Sequence, residues 1–510
     1  MKSNRWTIEN FLYVLAFLLA LVLRLVALKT RALNDAEAGW ALQALGLARG
    51  QVVDIGPQPL YVLFTGFLFS IFGSDNFLAR SLPALSGSLL IFFPYLMRVF
   101  LGKRAGIILA FGLALDPAMV FLSRTAGSQM IALSFGLLAL AAALSYRLAW
   151  AGLLAGLALL TGPQLLAGVI GAGLAWIAGS QLVKAGIFLP LELLARAESP
   201  PQDHPVRFGF YFLAGTLLVA GTLFFRYPQG LGAMADILPA YLSGWVTSSG
   251  VPALRIPVAL LIYQPVVFFF ALAGVVRAWN GWHQRYNNMR WLSLWAFFAL
   301  AVAILYPNRQ VSDLAWTLIP LWMLAAIEIE SDLSYEGTRT SPVISLCQAA
   351  LIFLLLAFAW LALAGLGNFT GDMLQVGLRS AIFLVIGAAA MAAVTTVLVA
   401  LGWNWETARQ GLVWGTILSF GLYMLSAMWG SAGLRAGAGQ ELWSTAPTVT
   451  QADLLSKTIN DLSEWDTGQA DSLQIISLVD YPSLKWTLRN WSRTSFTHQV
   501  PAGEQPAFII

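Results

Sequence analysis

Two carboxylates and three arginines are the groups in this sequence best placed to do chemistry. Asp35 and Glu37 lie in the stretch RALNDAEAGWALQALGLARGQVVDIGPQPL, Arg31 to Leu60, which follows the first long apolar run of a chain only 11% charged. A carboxylate in the first turn of a helix at a bilayer surface can take a proton from a hydroxyl or bind a metal. The same residues also suit a cap. Asn34 followed three residues on by Glu37 has capping-box spacing, and Asp35 favours the positive end of the helix. Arg80 in DNFLARSLPAL, Arg124 in VFLSRTAG and Arg309 in YPNRQVSD each adjoin an apolar run. An arginine at membrane depth is costly and usually faces the protein interior or a polar cavity. Its planar fork matches phosphate oxygens; the plain alternative is snorkelling to the headgroups. Three on one predicted face, beside an acidic loop, point to an anionic ligand at the outer leaflet.

These groups must be positioned by membrane helices. The chain has 510 residues, 58% of them hydrophobic, and a mean hydropathy of +0.73. It holds repeated apolar runs of the length that spans a bilayer. The first, Phe11 to Leu28, follows Lys2 and Arg5 and lacks a small-residue cleavage site, so it reads as a retained helix with a cytoplasmic N-terminus. Leu60 to Phe72 is short for a span and reads as an interfacial or re-entrant helix of a first outer loop, 31–76. If it does not cross, the next span runs inward and Arg98, Lys103 and Arg104 fall in the cytoplasm, as the positive-inside rule prefers. Counting onward, Ala105 to Leu122 and Ile256 to Val276 each read as one span. The total is thirteen, and the C-terminus is then extracytoplasmic. Small-residue runs such as GLLAGLALLTG and GVIGAGLAWIAG permit close helix packing in lipid. A polar connection, Leu194 to Arg207, reads as cytoplasmic, and an amphipathic piece around Met234 to Trp245 as interfacial.

The membrane domain is expected over 1–430. From Ser431 to Ile510 the chain turns polar. It carries a helix pattern (TQADLLSKTINDLSEW), a β-rich run (LQIISLV), a second helix candidate (SLKWTLRNW) and a final apolar AFII. This reads as a small α/β module outside the membrane, too short for a large core of its own and so expected to dock. Its last strand reads as part of an incomplete module. Several classes are excluded: there is no basic stripe with interleaved aromatics for nucleic acid, and no Walker motif or GxGxxG in strand–helix context. The one cysteine, Cys347, precludes an intrachain disulfide or cysteine-based metal site, and His204, His283 and His498 are too scattered for a zinc site.

The order of LNDAEAGWALQALGLARG, PQPLYVLFTGFLFSIFGSDNFLARSLPALSG and LALDPAMVFLSRTAGSQM resembles the GT-C superfamily of integral-membrane glycosyltransferases, in its protein O-mannosyltransferase and aminoarabinose-transferase branch. YPNRQVSDLAWTLIPL is similar to a later outer-loop element of that family. The resemblance implies an all-α polytopic membrane protein of about thirteen helices with a small extracytoplasmic α/β C-terminal module, in the plasma (inner) membrane. It implies transfer of a sugar from a polyprenyl-phosphate donor to an acceptor glycan, lipid or protein, by inversion. Asp35 and Glu37 match the family's acidic pair, Arg80 the arginine before the next span, Arg124 the arginine of its SR element and Arg309 an outer-loop basic position. Gln58, Tyr61, Asp116 and Gln129 are candidate substrate-pocket residues. No cofactor is required, and no residue set argues for a divalent metal. The sequence departs from the pattern twice: Ala36 splits the acidic pair, and Gln129 stands where a second acidic residue is usual. Two alternatives remain, a non-catalytic scaffold binding lipid-linked glycan or a partner transferase, and a lipid-glycan flippase. The flippase predicts polar residues in mid-span and paired broken helices.

Overall fold

The fold was analysed in a computed structural model, which describes residues 7–189, 206–281, 284–333, 341–365, 372–435, 441–443, 449–497, 499 and 507–510. Most of the polar connection expected at Leu194 to Arg207, and all three histidines, lie outside the described residues.

Helix α1, Ile8–Leu25, starts where the Thr7 hydroxyl accepts a hydrogen bond from the Asn10 amide. Two short helices, α2 (Asp35–Ala48) and α3 (Pro59–Phe72), fold back on one another in the first loop. At ~1.5 Å per residue each is about 21 Å long, short of a hydrocarbon core of about 30 Å. Helices α4 (Asn76–Leu89) and α5 (Phe92–Leu101) continue as one span. Then come α6 (Lys103–Leu115), α7 (Pro117–Ser123), α8 (Gln129–Leu144), α9 (Leu148–Leu159) and α10 (Gln164–Lys184). The next group is α11 (Arg207–Gly221), α12 (Gln229–Ala235), α13 (Ile237–Ser243), α14 (Arg255–Tyr263) and α15 (Pro265–Asn280). The last large helices are α16 (Gln284–Leu305), α17 (Ala315–Leu333), α18 (Pro342–Ala364), α19 (Asp372–Gly402) and α20 (Trp405–Ser431), with a 3-10 turn at Val311–Leu314.

Among the described residues, eight helices are long and apolar enough to cross a membrane, or up to ten if each of two bent pairs is one span. This is a multi-pass membrane protein. The bends correct the sequence expectation of two unbroken spans. Helices α6 and α7 meet at 54°, and α14 and α15 at 100°. Each break falls at an X–Pro step, Asp116–Pro117 and Gln264–Pro265, where proline removes an amide donor and biases its predecessor away from helix. The first break is closed by polar groups. Asp116 accepts from the Met119 amide at 2.9 Å and the Trp322 indole at 2.6 Å. Arg24, with no exposed surface, donates to the carbonyls of Leu113 and Ala114, to its own helix at Ala20 and to the Ser123 hydroxyl. So the spans do hold mid-chain polar groups, and broken helices, as a transporter would need. Here Arg24 and Asp116 are fully buried and satisfied by protein.

Glycines set the closest helix approach. In α9, a Cβ at Gly152 would fall on the Gly209 carbonyl of α11, and one at Gly156 would sit 2.8 Å from the Thr216 Cβ. Lipid offers no hydrophobic drive for helix pairing, so this intimacy of packing holds the two together. Gly152→Ala is expected to destabilise by about 1–3 kcal/mol, because the clash is with backbone and the helices must separate. Gly173→Ala, whose Cβ meets nothing within 4 Å, is the neutral control in the same thermal-denaturation measurement.

The polar C-terminal segment holds helices α21 (Ala452–Thr467) and α22 (Pro482–Thr487) and strands β1 (Ile475–Ser477), β2 (Thr494–Phe496) and β3 (Phe508–Ile509). The sheet order is β2-β1-β3, both pairs parallel, with Ile475 opposite Thr494 and Phe508. Parallel neighbours require a crossover, and α22 lies in the one between β1 and β2. The module's own core is small, built on Ile459, Leu473, Ile475, Leu488 and Trp491. Trp486 of α22 belongs instead to the core of the membrane domain.

Candidate functional site

The first loop is built by Arg80. Its Nε and Nη2 donate to Glu37 Oε1 and Oε2, both at 2.9 Å, in the two-pronged geometry that makes Arg–carboxylate pairs strong. Nη1 donates to the Leu28 and Arg31 carbonyls and Nη2 also to that of Ala32. All five N–H groups of the fork are therefore used. They tie the connection after α1 to both α2 and α4. Glu37 is as fully engaged. It accepts from Asn34 N at 3.1 Å, while Asn34 Oδ1 accepts from Glu37 N at 2.9 Å, so the capping box forms. It also accepts from Ala126 N at 2.8 Å. Burial pushes the Glu37 carboxyl up, but the charge and hydrogen bonds of Arg80, with the Ala126 and Asn34 amides, hold it below the usual carboxylate range.

The other predicted groups serve different ends. Asp35 Oδ1 accepts from the Ser483 amide at 3.1 Å and hydroxyl at 2.6 Å, so it caps α22 of the C-terminal segment. Around that joint, the Trp486 indole donates to Asn76 at 2.7 Å and Arg489 donates to Ser74. Arg124 closes the end of α1, donating to the carbonyls of Leu23, Arg24, Val26 and Ala27, and reaches Ala432 beyond α20. Those of Leu23 and Arg24 belong to the last turn of α1, whose carbonyls have no intrahelical partners. Arg309 Nη1 donates to Val251, while its buried Nε has no partner. The Tyr61 hydroxyl donates to Ala79, and Asp116 sits at the α6–α7 break.

A cavity of about 200 Å³ opens beneath α2. Glu37, Gln58 and Gln129 line it; Asp35, Arg80, Arg124, Arg309, Tyr61 and Asp116 do not. Its other walls include Asn34, Trp40, Phe121, Ser128, Gln164, Gln310, Ser312 and Trp443. Sequence reasoning missed one residue that lines it and two charged groups that act on its lining. Trp443, beyond α20, is buried against Phe121 and Tyr263, with its Nε1 lacking a partner. Asp313, in the quoted YPNRQVSD, accepts from Gln129 Nε2 at 3.2 Å and Gln310 N at 2.8 Å. Arg31 is half-buried in the fields of Glu37, Arg80 and Glu441, and its side chain makes no hydrogen bond among the described residues. Asp313 stood within a recognised element and Arg31 beside the acidic pair, so both were visible; nothing local marked Trp443. No group of three or more metal-binding side chains occurs among the described residues.

No protein-family model matches the chain, and no curated protein matches it in sequence. Solved structures do. ArnT from Cupriavidus metallidurans bound to undecaprenyl phosphate matches with a TM-score of 0.56 at 15% identity, covering 96% of this chain and 86% of its own. The same protein in the apo state gives 0.55 and 16% with the same coverage. Oligosaccharyltransferase from Archaeoglobus fulgidus matches at 0.46 and 14%, covering 96% of this chain and 64% of its own. The match to ArnT thus covers nearly the whole of this chain. The fold is that of the GT-C integral-membrane glycosyltransferases.

Proposed function

We propose that this protein transfers a sugar from a polyprenyl-phosphate donor to an acceptor glycan, lipid or protein on the extracytoplasmic side of the plasma membrane. The observation that carries the reading is the cavity under α2, walled by neutral amides and aromatic rings, on the fold of a protein solved with undecaprenyl phosphate. In this reading the ten long or bent crossings are joined by α8, α9 and α11 to make thirteen; the bilayer thins around these shorter helices, whereas α3 pairs with α2 in the first loop and does not cross. The loop α2–α3 and the module over 431–510 then share the outer face. The acceptor oxygen attacks the anomeric carbon, the carbon–oxygen bond to phosphate breaks, and the phosphate leaves with the electron pair. The acceptor proton passes to Asp35 or Glu37. Cations stabilise the growing phosphate charge where it develops. Arg31 and Arg309 keep unused donors for that task, while Arg80 and Arg124 hold the walls.

Purified protein in nanodiscs is expected to release labelled sugar from polyprenyl-phosphate donors onto hydroxyl acceptors. Asp35→Asn and Glu37→Gln separate the two carboxylates; activity equal to wild type in both would overturn the base assignment. A second reading, a scaffold that binds lipid-linked glycan without turnover, is favoured by the saturation of Glu37. Tight donor binding with no transfer to any acceptor would select it.

A further inference from the structure

The cavity walls are directional. Gln58 Oε1 accepts twice from Ser128, from its amide at 3.1 Å and its hydroxyl at 2.9 Å, which leaves the Gln58 Nε2 donors unbonded on a cavity-lining side chain. Gln129 is held the opposite way: its Nε2 donates to Asp313, so its carbonyl oxygen is the end left without a partner. An amide's orientation is decided by such neighbours. Two more groups are orphaned outright. Trp443 Nε1 and Gln164 Oε1 are buried without a hydrogen-bond partner, on side chains that line the cavity. Buried polar atoms are nearly always paired, so two left unpaired beside one cavity call for a ligand or water. The charged wall residue, Glu37, is neutralised by Arg80. The walls therefore offer two donors and two acceptors beside flat aromatic surface, with no uncompensated lining charge among the described residues.

Resting on the transferase reading above, we infer that this cavity takes the sugar ring of the donor and selects an uncharged, hydroxyl-rich one, with Asp313 a positioning residue that turns the Gln129 carbonyl toward it. A hydroxyl both donates and accepts, so a ring of hydroxyls can satisfy an array that mixes the two. An ammonium sugar would waste the Gln58 and Trp443 donors, and a carboxylate sugar the Gln129 and Gln164 acceptors. Either would also bury a charge without a partner.

The test measures binding of short-chain polyprenyl-phosphate hexose, its single-deoxy analogues, its amino and uronic counterparts and bare polyprenyl phosphate to the full protein in nanodiscs. The neutral hexose is expected to bind at least tenfold more tightly than either charged counterpart. Charged sugars bound as tightly as the hexose would overturn the inference and leave the transferase reading standing. No sugar bound better than the bare lipid phosphate would sink both. Trp443→Phe, which keeps the aromatic wall and removes the donor, is expected to lose about tenfold for the hexose alone. Asp313→Leu is expected to erase discrimination between the hexose and one deoxy analogue, whereas Asp313→Asn, which can still accept from Gln129, retains it. Loss of affinity for every ligand together in Asp313→Leu, with discrimination preserved, would overturn its positioning role.

Discussion

Replacing Glu37 with leucine is expected to cost about 3–5 kcal/mol of folding stability, because it leaves the Arg80 guanidinium buried without its counter-charge. The pair is almost wholly inside, with side-chain exposures of 2% for Arg80 and 5% for Glu37. Arg80→Leu strands the carboxylate and is expected to cost a similar amount. The double variant should cost less than the two singles together, since no unpaired charge remains, and a double-mutant cycle in detergent unfolding measures the difference. Additive losses would show that the two residues act independently. The milder Glu37→Gln keeps an acceptor for Arg80 and Ala126. If that variant unfolds like wild type yet transfers no sugar, Glu37 is the proton acceptor as well as a strut. Acidity provides a second check. The carboxyl is held below its ordinary value when folded, so its contribution is complete above the unfolded carboxyl range, about 4.3. As pH falls below that range and through the lower folded value, the contribution is lost. Glu37→Gln should flatten this part of the stability–pH curve.

Trp486→Ala is expected to release the C-terminal module from the membrane domain. The side chain is 2% exposed and sits against the Phe69 ring at 5.7 Å between centroids. Its indole donates to Asn76 at 2.7 Å, and the Arg489 guanidinium lies 4.1 Å from its ring. Truncating so large a buried aromatic costs about 3–5 kcal/mol. The module's small core gives it little stability of its own, so limited proteolysis should cut within 449–497 far faster in the variant. Asp35→Ala removes the two hydrogen bonds to Ser483 and should cost about 1 kcal/mol, with a correspondingly smaller gain in cleavage. Equal protection of Trp486→Ala and wild type would mean the module is held by something else. Since Asp35 belongs to the loop that walls the cavity, release of the module should also weaken donor binding.

What the sequence disclosed follows the range of the interactions. The capping box needs only Asn34 and Glu37, three residues apart, and was readable. The run from α1 to α20 was legible as apolar stretches, but hydropathy averaged over the Asp116–Pro117 and Gln264–Pro265 breaks, although the prolines were in plain view. The pairing of Glu37 with Arg80 spans 43 residues, and the clamp of Arg124 on Ala432 spans 308. No pattern of spacing encodes such contacts. For the same reason an arginine at a span end read as a phosphate ligand when its fork is used on helix carbonyls. Residue type told which groups could bind an anion, and only the fold tells which still have donors to spare.

The joint between Asp35 and Ser483 joins residues 448 apart, which sets a timetable for assembly. At about 5–20 residues per second, the ribosome needs roughly 20–90 s to make the second half of that contact after the first. Throughout that interval Asp35, Asn76 and Phe69 stand without the partner that later covers them. That side of the first loop is therefore covered only after helices α3 to α20 have been made.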